Sequence, residues 1–480
     1  MPRPSSPSPP SVAVPWWVSA LDALCLVLLG YALSALAGHR VRIAAGPLYL
    51  SLTSWWRLLL WTAIVLAVRH ALWRAVPWPA HVAGWVRRTF AAEPFRAAWP
   101  AFVVSRAVVL FVGYIAVVTI GFDPPRPFRA LDSVALDLYA RWDAGWYTGI
   151  ASGGYHADHH FNPARQNSIA FFPGLPALMV GIRHALNLNL WIAGIVVVST
   201  AFLLGLVNLY RLAREDLPSD QARASLLFLA FYPFAVCYSA ILTESLFLLV
   251  AASAFLYFRR QQLLKAAVFA LFAGIVRPNG FLLCVPLGLL VAIPFARGRG
   301  WLDNPAGERP QSWGTLAVRL SVAALPVVGV VAYSAYIYSM TGDPFAWAKA
   351  QQAWGRESGL IVEIFRQRRD LIATSGLGAY PGRQPNELLE MPAVLFALVG
   401  FWPVVKRFGL AYGVFVLLAV LPPFITMGAV SLGRYTAPLF PLFLWLGAAV
   451  PERRRPYWLA VFGAGQALVA VLFYTWRPPY

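Results

Sequence analysis

Three carboxylates and several aromatic rings crowd the stretch DSVALDLYARWDAGWYTGIASGGYHADHHFNPARQNSIAFFPGLPAL, which begins at Asp132. Asp132, Asp137 and Asp143 stand there with Trp142, Trp146 and Tyr147. Rings of this kind can stack on sugar faces, and a carboxylate can take the proton of an attacking hydroxyl. The same residues also fit a belt of Trp and Tyr at a membrane boundary, with solvated acids beside it. His156, Asp158, His159 and His160 have side chains suited to zinc or manganese. Their order lacks the i, i+4 spacing of a helical metal motif, so they read as a polar loop tip and no metal is expected. Asp137 and Asp143 stand too far apart in sequence for a local metal-binding pair, and Asp137 is the better site candidate of the two earlier acids. No GxGxxG or Walker A loop occurs, so a soluble nucleotide-sugar or ATP cofactor is not expected either.

The elements that must position these residues are membrane helices. The chain has 480 residues, of which 59% are hydrophobic and 12% charged, and its mean hydropathy is +0.62. A soluble domain carries about 25% charged residues. A helix crosses the hydrocarbon with about 20 apolar residues. Runs at 14–36, 49–68, 98–121, 188–210, 225–240, 242–258, 263–277, 280–296, 315–339, 391–405, 408–427, 432–450 and 457–475 give an all-α, polytopic bundle of about thirteen spans. The Pro/Ser-rich tail, residues 1–12, reads as disordered, and no cleavable signal peptide is evident. Residues 13–97 hold two helices and a basic loop, and 98–480 form the main membrane domain.

The net charge of +19 has a topological explanation. Basic residues gather between the spans, at Arg69 to Arg96, Arg211 to Arg223, Arg259 to Lys265, Arg297 to Arg309, Lys406 and Arg407, and Arg453 to Arg455. The positive-inside rule puts these on the cytoplasmic side. That orientation requires the apolar stretch 168–186 to lie along the surface as an amphipathic helix. It leaves two long outer loops, about 122–187 and 340–390, and long loops tend to carry function. No nucleic-acid module accompanies the charge. Cys25, Cys237 and Cys284 lie in apolar runs, which argues against a disulfide framework.

RWDAGWYTGIASGGY with AFFPGLPAL behind it resembles the PIG-V-like mannosyltransferases of the GT-C superfamily of membrane glycosyltransferases. YSAILTESLFLL, VRPNG, GDPFAWAKAQQAWGR and GRYTAPLFPLF follow in the family's order. The resemblance runs from about Trp99 to the end, so the first two spans look like an addition. It implies a GT-C fold, and a mannose donor linked to a polyprenyl phosphate. It also implies an inverting transfer on the extracytoplasmic face to a glycan, lipid or protein acceptor, without a metal. Asp143 maps to the catalytic base. Arg141, Trp142, Trp146, Tyr147, Glu244, Arg277, Asn279, Arg356, Arg434 and Tyr435 become the candidate substrate-binding residues.

Arg277 and Arg434 suit the departing phosphate, since a guanidinium offers a planar fork to its oxygens. Lys349 and Arg356 are lesser candidates for it. Glu244 is either a substrate contact or, with Thr243, the opening of a helix. Arg106 suits a buried pair with Glu244 or Asp143, or a phosphate contact. The composition points to a bacterial cytoplasmic membrane, or to the endoplasmic reticulum in a eukaryote. A different carrier-linked sugar is one alternative. Another is a transporter or lipid flippase, which would show charges deep in several spans and repeat symmetry.

Overall fold

Long apolar runs leave the backbone few partners but itself, and the chain answers with helices. The computed structural model describes residues 14–36, 41–45, 48–52, 54–123, 129–157, 161–354, 361–376, 378–379, 382, 385–427 and 431–477. The expected disordered tail lies outside these residues. Seven of the described helices are long and apolar enough to cross a membrane, or nine if two bent pairs each count as one span. The protein is a multi-pass membrane protein, and the described residues do not confirm the expected count of about thirteen. Several runs read as spans form short helices, such as Leu263–Val276 and Phe440–Ala449. Hydropathy does not distinguish a short helix inside a bundle from a span.

The chain divides into two compact units. The first comprises 1–95 and 181–189. Its helices Trp16–Leu36 and Trp55–Leu72 are joined by an antiparallel hairpin, Val41–Ala45 with Leu48–Leu52, in which Val41 faces Leu52. The expected span at 49–68 thus starts later, after a strand. A third helix, Trp78–Ala91, follows Pro77 and carries exposed Arg87 and Arg88. Tyr31, Ala32 and Leu58 form a small apolar core.

The second unit comprises 96–180 and 190–480. At its centre lies the helix Glu244–Arg259, buried along nearly its whole length. Such a helix is apolar all round because no face meets water. Before it, Ser219–Phe231 and Pro233–Ser239 meet at a bend of 78°. Pro233 cannot donate the hydrogen bond that would continue the first helix. Arg106 secures the bend by donating to the carbonyls of Ala230 at 2.9 Å and Ala235 at 2.7 Å and to Ser239 Oγ at 2.9 Å. The expected partners Glu244 and Asp143 are therefore not those of Arg106, which donates to backbone and hydroxyl oxygens instead.

Two ends of this unit can be told apart by following one helix. At the Arg259 end, Arg259 pairs with Asp216 at 2.8 Å and Arg260 with Glu215 at 2.6 Å. Arg455 reaches Asp220 of the same 215–220 turn at 3.0 Å. Three of the basic segments expected on one side thus meet. Glu244 lies at the other end of the helix, about 24 Å away at 1.5 Å per residue. The segment 168–186 contains the helix Gly174–Leu186, whose 13 residues are too few to span.

Candidate active site

Asp143 opens the helix Ala144–Gly153, yet its carboxylate makes no capping bond there. It accepts from Arg434 Nη1 at 2.9 Å. The turn that presents it is strained, because Trp142 has φ 55°. That left-handed conformation costs a residue with a Cβ roughly 1–2 kcal/mol. Its neighbours hold it there. Trp142 Nε1 donates to the Phe473 carbonyl at 3.1 Å. Arg141 Nε donates to the Tyr474 carbonyl at 3.1 Å, and its Nη1 donates to Asp137 Oδ2 at 2.8 Å. Asp137 Oδ1 in turn accepts the Ala130 and Leu131 N–H groups.

These contacts correct three expectations. Arg141 is fully buried, and neither it nor Trp142 lines the pocket around Asp143. Both brace the loop from behind, and Asp137 is the structural partner of Arg141. The signal that misled was adjacency: Arg141 and Trp142 are next to Asp143 in sequence but bond to the Tyr474 and Phe473 carbonyls.

Glu244 is fully buried at the start of its helix, where the helix dipole favours a negative charge. Arg434 Nε donates to Glu244 Oε1 at 3.1 Å, and Arg434 Nη2 lies 3.0 Å from the same oxygen. One guanidinium therefore bridges Asp143 and Glu244. Arg277 Nη2 lies 3.8 Å from the same Oε1. The Arg277 guanidinium also sits 4.7 Å from the ring centre of Tyr435 and 5.3 Å from that of Phe247. Its place follows from Pro278. The residue before a proline is pushed to extended backbone, so the helix Leu263–Val276 stops and Arg277 leaves it with φ −156°. The helix itself is held close to Leu325–Thr341 at Gly274 and Gly329, where an added Cβ would strike the facing backbone.

Three buried polar atoms here have no hydrogen-bond partner among the described residues: Glu244 Oε2, Arg277 Nη1 and Asn279 Oδ1. Buried polar atoms are normally satisfied, so such a group invites a ligand or water. Asp143, Tyr147, Phe171, Arg277, Gln351, Trp354, Arg434 and Tyr435 surround a cavity of about 60 Å³. A larger, mainly apolar cavity of about 410 Å³ shares Pro278, Gln351 and Tyr435 with it and adds Asn279, Phe281, Trp347, Pro422 and Pro423.

Aromatic rings wall the smaller cavity. Trp146 stacks on Phe171 at 5.5 Å between ring centres, and Trp354 meets both edge-on. Trp146 thus stands behind Phe171 and outside the lining. Burial and the nearby Asp143 and Glu244 carboxylates push the Tyr147 hydroxyl above the usual phenol range, so it stays protonated and can donate a hydrogen bond. The second loop closes the wall: Gln351 Nε2 donates to the Ala170 carbonyl at 2.9 Å. Sequence reasoning missed Gln351 and Trp354, although both lie in the loop segment it singled out. Lys349 instead pairs with Asp343 at 2.6 Å and is half-exposed. Arg356, Asp158, His159 and His160 lie outside the described residues, while His156 bonds through its N–H to Ser168. Among the described residues no group of three or more His, Cys, Asp or Glu could hold a metal ion.

Residues 124–291 match the family model for mannosyltransferase (PIG-V). That stretch contains Asp143, Glu244 and Arg277, and Arg434 lies beyond it. No curated protein matches the chain. Among solved structures, ArnT from Cupriavidus metallidurans bound to undecaprenyl phosphate is 14% identical, with TM-score 0.42, covering 78% of this chain and 76% of that one. The Archaeoglobus fulgidus oligosaccharyltransferase tethered to an acceptor peptide is 12% identical, with TM-score 0.37, covering 78% of this chain. The archaeal oligosaccharyltransferase AglB from Archaeoglobus fulgidus, in complex with an inhibitory peptide and a dolichol-phosphate, is 12% identical with TM-score 0.36. The present chain spans a little over half the length of these archaeal proteins, 55% and 56%. Likenesses this distant do not extend to site residues or substrates.

Proposed function

We infer that this chain, a membrane glycosyltransferase of the mannosyltransferase (PIG-V) kind, moves mannose from a polyprenyl-phosphate carrier to an acceptor hydroxyl. The observation that carries the reading is the four-residue ionic cluster. Asp143 and Glu244 share Arg434, Arg277 stands beside them, and buried polar atoms there lack partners.

In the proposed step the acceptor oxygen attacks the anomeric carbon of the sugar. The bond from that carbon to the phosphate oxygen breaks, and its electron pair leaves with the phosphate. The acceptor proton passes to the Asp143 carboxylate. A phosphodiester leaves without being protonated, so a second acid is not required, unlike in glycosidases. Arg277 and Arg434 supply positive charge to the departing phosphate. With that charge provided by guanidiniums, the step calls for no metal or soluble nucleotide. The apolar cavity beside the cluster suits the isoprenoid chain. The sugar would sit in the smaller cavity, against Gln351 and Trp354 of the second loop.

The reading places the site on the extracytoplasmic face of a cytoplasmic membrane. Support comes from the helix Glu244–Arg259, which has the site at one end and the paired basic segments at the other. Single cysteines at Ala157 and Gln221 should then label from opposite sides of the membrane. Labelling of both from one side would overturn this orientation.

The catalytic test uses purified protein in vesicles, polyprenyl-phosphate mannose carrying radiolabel, and an extract of membrane lipids and glycans as acceptor. Label should move to the acceptor fraction with wild-type protein and not with Asp143→Asn. Transfer by Asp143→Asn at the wild-type rate would remove Asp143 from the role of base.

A further inference from the structure

The segment that delivers Arg434 is itself held by a carboxylate from elsewhere in the chain. Glu390, on the helix Pro385–Phe408, is fully buried. Its Oε2 accepts the backbone N–H of Gly433 at 2.5 Å. The chain enters this segment through Ser431 in a left-handed conformation, φ 61°, and the Ser431 side chain makes no capping bond to the short helix Leu432–Thr436. Glu390 supplies an acceptor that Ser431 does not. A carboxyl oxygen can accept a backbone N–H whether or not the group is ionised.

The rest of the segment is fixed by contacts that leave Arg434 as its reaching side chain. Gly433 is pressed against the Phe234 ring, with no room for a Cβ. Thr436 Oγ1 donates to the Gly433 carbonyl at 2.8 Å and meets Tyr232 Oη at 2.8 Å. Tyr238 Oη donates to the Ala437 carbonyl at 2.7 Å. The backbone is thus bound on both flanks of Arg434, and Arg434 bridges Asp143 and Glu244.

We propose that Glu390 is a positioning residue for the transfer step: by binding the Gly433 N–H it sets where the Arg434 guanidinium meets Asp143 and Glu244. The proposal rests on the reading of Asp143 and Arg434 as reacting groups. Glu390 does not touch the substrate pocket, and it acts through the backbone. No spacing rule links residues 390 and 433, so the pairing becomes visible only in the fold.

The test compares Glu390→Ala, Glu390→Gln, Arg434→Ala and the Glu390→Ala, Arg434→Ala double variant in the vesicle assay with polyprenyl-phosphate mannose. The groups facing Asp143 are Arg434, Glu244, Arg277 and Tyr147. A displaced Arg434 stabilises the departing phosphate less well, so kcat should fall while KM for the donor changes little. In Glu390→Ala kcat per folded molecule should fall at least about tenfold, with the same kcat-against-KM split as Arg434→Ala. Glu390→Gln keeps an acceptor oxygen and should recover most of the rate. The double variant should be no slower than Arg434→Ala alone, as expected for residues acting through one contact.

A purely structural role would lower folded yield without lowering kcat per folded molecule. A Glu390→Ala protein with the wild-type kcat per folded molecule, or fully multiplying effects in the double variant, would overturn the proposal. If wild-type protein transfers no sugar, the functional reading fails first. If it transfers and Glu390→Ala matches it, only the positioning role fails.

Discussion

Each unit of the molecule buries a carboxylate against basic side chains, and the two clusters differ in what is left unmet. In the first unit Asp22 Oδ1 accepts from Arg69 Nε at 2.9 Å, and Oδ2 accepts from Arg69 Nη2 at 3.3 Å and meets His81 Nδ1 at 2.5 Å. Arg69 Nη1 donates to the Val76 carbonyl at 2.6 Å. A cavity of about 230 Å³ lies beside Asp22 and His81, yet both carboxylate oxygens are already engaged. In the second unit Glu244 Oε2 and Arg277 Nη1 have no partner among the described residues. A saturated cluster joins helices, and an unsaturated one has bonding capacity for something that comes and goes. Residue types alone do not make that distinction; the partner of each atom does.

The largest test of the contrast is Asp143→Asn. It removes the proposed proton acceptor while keeping shape, and turnover should fall about 10²–10⁴-fold. Next comes Arg277→Ala, expected to lower turnover about 10²-fold as a lost electrostatic contact to the leaving group. Arg277→Lys should recover only part of this, because an ammonium lacks the planar fork. Both are read as initial rates with the labelled donor.

Asp22→Ala should do the reverse. It strands Arg69 in a buried site, so thermal or denaturant unfolding in detergent should show a loss of about 3–5 kcal/mol. Transfer per folded molecule should stay within about twofold, since saturated groups have no bond to offer a substrate. Asp22→Leu combined with Arg69→Met should regain most of the stability, as replacing a whole buried pair often does. A collapse of turnover in folded Asp22→Ala protein would break the comparison.

The smallest effect is expected at Lys349. The Lys349 ammonium, then the Phe345 N–H, hold the Asp343 carboxyl below its usual range. A depressed carboxyl adds stability above its ordinary pKa and loses it as pH falls through its folded value. The pair is largely exposed, so Lys349→Ala should cost under about 1 kcal/mol. The stability curve should flatten slightly in acid, and transfer should be unchanged. A large loss of transfer would restore Lys349 as a phosphate contact.

Much of the site could be read from residue order. Asp143 stood out because it maps to the acid of the family's first outer loop, and Arg277 because a guanidinium suits phosphate oxygens. The structure brings Asp143, Glu244, Arg277 and Arg434 together, with Tyr147 and Tyr435 on the lining and Asn279 in the adjoining cavity. What stayed hidden depends on direction or on distant pairing. Arg141 and Trp142 flank the same turn as Asp143 but point to the last helix. Asp22 and Arg69 lie 47 residues apart, each alone in an apolar run. The span count is hard to read for a related reason: the helix Glu244–Arg259 is surrounded by protein, which hydropathy cannot separate from lipid.

The carbonyls of Phe473 and Tyr474, which hold Trp142 and Arg141, end the helix Arg455–Tyr474. That helix rises about 30 Å, close to the thickness of a bilayer core. Its far end is tied by Arg455 to Asp220. When the lipid layer is thinner than a helix, the helix tilts and does not shorten. Tilt at one end would therefore arrive as displacement of the Asp143 turn at the other. Acyl-chain length of the host lipids becomes a variable of the reaction. Rates measured in vesicles of short-, medium- and long-chain lipids should pass through an optimum, and a flat response would show that the turn is insulated from the membrane around it.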